Sequence, residues 1–372
     1  MEITQKLSLL GGLSPEQFMR RHWHKKPLLI RQALPAPQGL PSRAELFELA
    51  AREEVESRLI MREDQSWSLK RGPLPRRALP ALSRPNWTVL VQGVDLHLDA
   101  AHDLLQQFRF VPDARLDDLM ISWASDGGGV GPHFDSYDVF LLQLQGRRRW
   151  RIGRLQDPQL QADMPLKILS NFVPEEEWVL EPGDMLYLPP RWAHDGVAEG
   201  ECVTASIGFR APARHELARE VLVRMLEAAE SDAEPMLYRD PQQAATATPG
   251  ALPEGLGDYA RAAVAALLED EASLQCALGE YLTEPKPQVW FDVGEAADLS
   301  AGVRLDRRSR MMYDEQHVFF NGESYRAGGR DARLMRTLAD RRRLDGREVA
   351  QLSADARELL ERWADDGWLH PL

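Results

Sequence analysis

Gly127-Gly128-Gly129-Val130-Gly131-Pro132-His133-Phe134-Asp135 holds the pair of side chains around which the rest of the chain is arranged. His133 and Asp135 are two residues apart, and on an extended strand that spacing sets both side chains on one face. A third ligand from a distant strand, for which His194 is the candidate, completes two imidazoles and one carboxylate on one side of a metal ion. That set leaves the opposite positions open and suits non-haem Fe(II) and dioxygen chemistry. The glycines of Gly127 to Gly131 permit close approaches that side chains would block, and are expected to form an entrance for a bulky substrate. A phosphate-cradling loop is disfavoured, because no Gly-Lys-Ser/Thr follows and no helix is signalled after Pro132.

Strand signals lie on both sides of this stretch. Leu119 to Ala124 leads into it; Asp138 to Leu144 and Arg147 to Ile152 follow, and with Gln145-Gly146 between them they read as two strands joined by a tight turn. If Trp150 and Ile152 face a core, Arg148 shares their parity, while Arg147, Arg149 and Arg151 face the other way. An arginine directed inward is costly to bury alone, so Arg148 is expected to meet an anion. Glu177 to Leu180 and Met185 to Leu188 surround the turn Glu181-Pro182-Gly183-Asp184. Pro189 to His194 then reads as a rigid segment delivering His194, and Val203 to Arg210 as the last strand.

Upstream, Ser14-Pro15-Glu16 starts a helix expected to reach about Trp23; Lys26 to Arg31 reads as a short strand, Pro35 to Pro41 as a turn-rich link and Ala44 to Ala51 as a second helix. His22 and His24 sit among Arg20, Arg21, Lys25 and Lys26, cations that disfavour a metal, and are expected at the surface. Strands follow at Ser57 to Met61, Trp67 to Leu69 and Trp87 to Gln92, then a helical segment from Leu96 to Phe108.

Beyond Pro212 the periodicity becomes helical, from Glu216 to Glu230 and from Tyr259 to Glu269. Leu217, Val221, Leu222, Met225 and Leu226 form one apolar stripe, and Ala263, Leu267 and Leu268 another, suited to packing on each other or to a dimer interface. Val318 to Tyr325 carries a hairpin signal, followed by helical runs at 331–339 and 346–364, an order compatible with a small winged helix. Its leucines lie among charges of both signs, which fits protein contacts better than DNA.

With 372 residues, 44% of them hydrophobic, the chain is long enough for two or three domains with sizeable cores. No stretch approaches the roughly 18 apolar residues of a membrane span, and no basic-then-apolar leader opens the chain, so a cytoplasmic location is expected. The two cysteines, Cys202 and Cys276, are far apart and are expected to be buried thiols. A net charge of −13 argues against broad nucleic-acid binding and leaves room for a basic partner.

On the stretches Met120 to Trp123, Gly127 to Asp135, Tyr137 to Phe140, Gly146 to Trp150, Glu181 to Asp184 and His194 through Gly208 to Pro212, the chain resembles the JmjC-type, cupin-fold 2-oxoglutarate oxygenases. More closely it resembles the bacterial ribosomal oxygenases, which hydroxylate an arginine of a large-subunit ribosomal protein. The resemblance implies an α+β chain: a double-stranded β-helix (jelly-roll, cupin) in 1–212, a helical dimerisation segment in 213–298 and a winged-helix-like module in 299–372. It implies that His133, Asp135 and His194 bind Fe(II), that Arg148 pairs with the distal carboxylate of 2-oxoglutarate, and that Ser122 hydrogen-bonds this cosubstrate. The implied reaction consumes dioxygen and 2-oxoglutarate and hydroxylates the β-carbon of an arginine in the sixteenth large-subunit ribosomal protein. Asp126, Tyr137 and Asp138 are candidate guanidinium partners. A histidyl hydroxylase or demethylase of the same fold, or a metal-binding cupin without turnover, are the competing readings.

Overall fold

The computed structural model describes residues 2–35, 39–64, 66–229, 236–294 and 298–372. The expected link from Pro35 to Pro41 falls partly, and the expected helix end at 230 wholly, outside them. The chain divides into two compact units, residues 1–211 with 287–290 and residues 212–286 with 291–372.

In the first unit, helix α1 (Pro15–Arg21) begins at Ser14 and α2 (Arg43–Ala50) at Ser42; each serine accepts from a backbone N–H while Gln17 or Glu45 reaches back to it. A third helix, α3, spans Asp99–Gln106. The strands are β1 (Leu28–Ile30), β2 (Ser57–Glu63), β3 (Ser66–Arg71), β4 (Trp87–Val91), β5 (Leu116–Ala124), β6 (His133–Phe134), β7 (Val139–Arg154), β8 (Glu176–Leu180), β9 (Met185–Leu188) and β10 (Trp192–Phe209). They pair in the order β1-β9-β7-β10-β5-β4-β2-β3, with β6 on β10 and β8 on β7. Phe18, Trp23, Trp87, Trp123, Phe140 and Tyr187 fill the larger core, and Leu141, Trp150, Ile152, Leu180 and Leu186 a second one. The expected double-stranded β-helix is thus present, an antiparallel sandwich with helices.

The sequence reading differs from the structure at Gln145-Gly146. There is no hairpin: 139–154 is one bent strand, and both of its halves pair with β10, as Val139↔Gly208 and Arg154↔Trp192 show. Gly146 has φ +63, and a Cβ there would lie 2.1 Å from the Glu201 carbonyl oxygen, so the two long strands bend together at a point only glycine permits. The register shift at this bend exchanges the faces. Val139 and Leu141 before it, and Trp150 and Ile152 after it, reach the same core. Arg148 follows the second set and is 3% exposed, whereas Arg147 and Arg149 pair with Glu199 and Arg151 with Asp195 on the other face.

His22 is buried rather than at the surface: its ring stacks on Phe18 at 5.9 Å and its Nδ1 lies 3.2 Å from the Pro27 carbonyl. His24 is half-exposed, and its Nε2 lies 3.0 Å from Oδ2 of the buried Asp138.

The second unit contains α4 (Arg214–Ala229), α5 (Glu254–Glu269) and α6 (Glu271–Thr283), then β11 (Gly302–Leu305), β12 (Met311–Tyr313), β13 (His317–Phe320), β14 (Glu323–Arg326), α7 (Gly329–Arg341), β15 (Arg343–Asp345), α8 (Gly346–Val349), α9 (Ala354–Asp365) and β16 (Leu369–Pro371). Sheets β15-β11-β16 and β12-β13-β14 and helices α7 to α9 share a core of Val303, Phe320, Leu338, Leu344, Leu360 and Trp363, the winged-helix arrangement. Asn321 and Gly322 both take positive φ and close the expected hairpin. The helical run 346–364 is two helices, because Ser353 caps α9 by accepting from Ala356 N. Helix α6 was not foreseen. Among the proposed stripes Met225 is buried, but Leu226 and Leu268 are exposed. Cys202 is buried and Cys276 only half-buried. No helix among the described residues is long and apolar enough to cross a membrane.

Candidate metal centre and adjoining pocket

His133 on β6 lies directly opposite His194 on β10 in the strand register, so two residues far apart in sequence become neighbours through one short ladder. Their rings are 4.2 Å apart between centroids. Asp135, just past β6, brings Oδ2 to 3.6 Å from Nε2 of His194. One ligand atom from each of the three lies within 4.8 Å of the others. Each imidazole is oriented by the chain immediately before it: Nδ1 of His133 lies 2.9 Å from the Gly131 carbonyl, and Nδ1 of His194 lies 3.0 Å from that of Trp192. A carbonyl only accepts, so each Nδ1 carries the proton and donates, which leaves the Nε2 lone pairs for a cation. Burial, aided by the nearby His133, pushes the His194 pKa down to about 4. His194 is therefore neutral at neutral pH, and with His133 and Asp135 it makes up two imidazoles and one carboxylate, the donor set of an open-sided Fe(II) site.

Beside this cluster is a cavity of about 350 Å³, within the usual range for small-molecule sites. Arg148 lines it, with Nη1 donating to Ser122 Oγ (3.4 Å) and Thr204 Oγ1 (3.5 Å) and Nη2 to the Gly196 carbonyl (3.0 Å). Its guanidinium stacks on Trp150 at 5.0 Å, and its buried Nε has no hydrogen-bond partner. Among the described residues no carboxylate pairs with Arg148. A buried cation held only by neutral oxygens is the signature of a site built for an anionic ligand.

The wall also carries acidic groups, of which Asp117 pairs with Arg210 at 3.5 Å. Asp117, Asp118 and Tyr137 line the cavity near Asp135, with Arg58 and Lys167 also present. Tyr137 is 38% exposed, and its partial burial, reinforced by Asp135 and Asp118, raises its pKa, so its hydroxyl stays protonated. Asp118 Oδ2 also accepts from Gln92 Nε2 and Gly93 N, which anchors it. Of the three candidate guanidinium partners, only Tyr137 reaches the cavity. Asp126 accepts from Gly200 N outside it, and Asp138 is buried against Tyr187 and His24. The glycine stretch is packed shut rather than open: a Cβ on Gly129 would lie 2.5 Å from the Gly196 carbonyl, and one on Gly131 2.7 Å from Ile168. These glycines let β6 approach its neighbours closely. Asp117 and Asp118 were missed, although two acids inside the apolar strand Leu116 to Ala124 are a readable signal. Thr204 was missed for want of one, since threonine is ordinary in strands.

Comparison with known proteins agrees with this architecture. A JmjC domain model matches residues 103–217, and a ROXA-like winged-helix model matches residues 266–370. The crystal structure of the Escherichia coli ribosomal oxygenase YcfD superposes with a TM-score of 0.79 at 30% identity, covering 95% of this chain and 97% of that one. The chain belongs to the JmjC-type ribosomal oxygenases. A structure of YcfD in complex with cobalt and 2-oxoglutarate superposes on this ribosomal oxygenase with a TM-score of 0.80 at 28% identity, covering 95% and 97% of the two chains. The ribosomal protein uL16 3-hydroxylase of Escherichia coli is 41% identical over 203 residues, 54% of this chain and 53% of that protein. The aligned stretch of this ribosomal oxygenase thus spans about half the length of the curated relatives it matches.

Proposed function

We propose that the chain is an Fe(II)- and 2-oxoglutarate-dependent dioxygenase that hydroxylates the β-carbon of an arginine side chain in ribosomal protein uL16. The observation that carries this reading is the presence, in one cavity, of the His133–Asp135–His194 cluster and a buried arginine without an anionic partner. His133, Asp135 and His194 hold Fe(II) through Nε2, a carboxylate oxygen and Nε2; Arg148 receives the distal carboxylate of 2-oxoglutarate, and Ser122 lies beside it. When bound, iron and cosubstrate supply the oxidation: one oxygen atom of dioxygen enters the C–H bond, the other leaves in succinate, and carbon dioxide is released.

The chain's own residues position the reactants. Asp117, already paired with Arg210, Asp118 and the protonated Tyr137 line the cavity and offer oxygens to an incoming guanidinium, which draws a basic side chain toward them. The closely packed Gly129 and Gly131 hold β6 against its neighbours.

By the same reading, residues 1–212 form the catalytic domain, 213–298 a dimerisation segment and 299–372 the winged-helix module, in a cytoplasmic homodimer. Helix α5 supports the dimer: none of its residues is buried, and Leu256, Val264 and Leu268 are exposed.

The test is succinate formation by the full chain with Fe(II), 2-oxoglutarate and dioxygen, with and without purified uL16. Succinate is expected to rise severalfold when uL16 is added. Blank-level succinate in both cases would identify a metal-binding cupin without turnover.

A further inference from the structure

Ser122 on β5, Thr204 on β10 and Gln143 on β7 stand in one row across three neighbouring strands, Ser122 opposite Thr204 and Thr204 opposite Gln143. All three are buried. The direction of each hydrogen bond in the row follows from groups that only accept. Gln143 Nε2 lies 2.8 Å from the Gln145 carbonyl and 3.4 Å from that of Gly146, so the amide nitrogen donates there and Oε1 faces Thr204. Thr204 Oγ1, 3.0 Å from this Oε1, must spend its hydrogen on it. Ser122 Oγ likewise donates to the Thr204 carbonyl at 3.3 Å. Both hydroxyl hydrogens are committed to the protein, and what remains on each oxygen is a lone pair. Arg148 Nη1 donates to both oxygens.

From this we infer that Gln143, which does not line the cavity, is a positioning residue for cosubstrate binding, acting through Thr204 on Arg148. The inference rests on the reading of Arg148 as the anchor of the 2-oxoglutarate carboxylate. Gln143 sets the Thr204 hydroxyl as an acceptor, and the two hydroxyls hold Nη1 against the sheet. The guanidinium is thereby fixed before the dicarboxylate arrives, so less ordering remains to be done on binding. In this arrangement Ser122 Oγ accepts from Arg148 Nη1 while it donates to the Thr204 carbonyl.

The test is calorimetric binding of 2-oxoglutarate to the Fe(II)-loaded full chain without dioxygen, which reads affinity with no turnover. T204V, which keeps the shape and loses the hydroxyl, is expected to weaken binding roughly three- to tenfold, the worth of one hydrogen bond. T204S is expected to restore it, and Q143L to weaken it by a similar factor. Because the two residues act in series, the Q143L/T204V double variant is expected to bind no worse than T204V, with Fe(II) affinity unchanged throughout. Wild-type affinity in Q143L or T204V, or a double variant whose loss is the product of the single losses, would overturn the inference. If Q143L does not fold, T204V against T204S still tests the step through which Gln143 acts, and wild-type affinity in T204V overturns the inference. Failure of the wild-type chain to bind 2-oxoglutarate would instead sink the proposed function.

Discussion

Alanine in place of His133 or Asp135 is expected to abolish succinate formation and to lower Fe(II) affinity more than about a hundredfold, beyond the loss that follows from removing an outer-shell partner of a metal ligand. Two donors remain in either variant, and Asp135→Ala also removes the one negative charge in the cluster. Little of the loss is structural. The Asp135 side chain is 21% exposed, and its Oδ2 lies 3.6 Å from Nε2 of the neutral His194. The metal-free variant is therefore expected to melt within a few degrees of the metal-free wild type. Metal at a hundredfold excess over its Kd adds about 2.7 kcal/mol of stability to the wild type, and this increment is expected to vanish in both variants. Thermal melts with and without Fe(II) under argon read both quantities; a variant that keeps the metal-dependent increment and turns over would refute the assigned ligands.

Replacing Arg148 has consequences of opposite sign for binding and for stability. Arg148→Met deletes the one buried cation facing the cavity among the described residues, and 2-oxoglutarate affinity is expected to fall by a factor on the order of 10²–10⁴, since a buried carboxylate left without its partner costs about 3–5 kcal/mol. Arg148→Lys keeps the charge but loses the two-pronged geometry, and is expected to fall between Met and wild type. The ligand-free Arg148→Met protein is expected to be as stable as the wild type or more so, because the guanidinium is buried without a counter-charge and its Nε has no acceptor. Urea unfolding of the metal-free proteins, beside calorimetry of cosubstrate binding, checks the pair of signs. A clear loss of stability together with unchanged binding would mean that Arg148 is a structural residue.

The period-two alternation of strands explains why much of this site was legible before any coordinates. His133 and Asp135 share a face by spacing alone, and the inward direction of Arg148 follows from Trp150 and Ile152. The bend at Gly146 was misread because a glycine at positive φ serves equally in a hairpin turn and in a strand that bends without turning back. Only the pairing of both halves of β7 with β10, some fifty residues away, distinguishes the two. The glycines of 127–131 failed in a similar way, since composition reports freedom to approach but not what approaches. His22 was placed at the surface on the strength of its charged neighbours, whereas α1 turns its ring onto Phe18. Asp138, one residue past the cavity-lining Tyr137, points into a network with Tyr187 and His24 instead, an outcome set by packing against the N-terminal segment. Leu226 and Leu268 carry the period of buried residues yet lie exposed, as expected of a face that awaits a partner or solvent.

The measurement that bears most directly on the whole account is peptide mass mapping of uL16 after incubation with the chain, Fe(II), 2-oxoglutarate and dioxygen. The account predicts a gain of one oxygen atom on a single arginine, with fragmentation placing it at the β-carbon, and no gain with the Asp135→Ala variant. Oxygen on a histidine, or an unmodified uL16 alongside active succinate production, would contradict it.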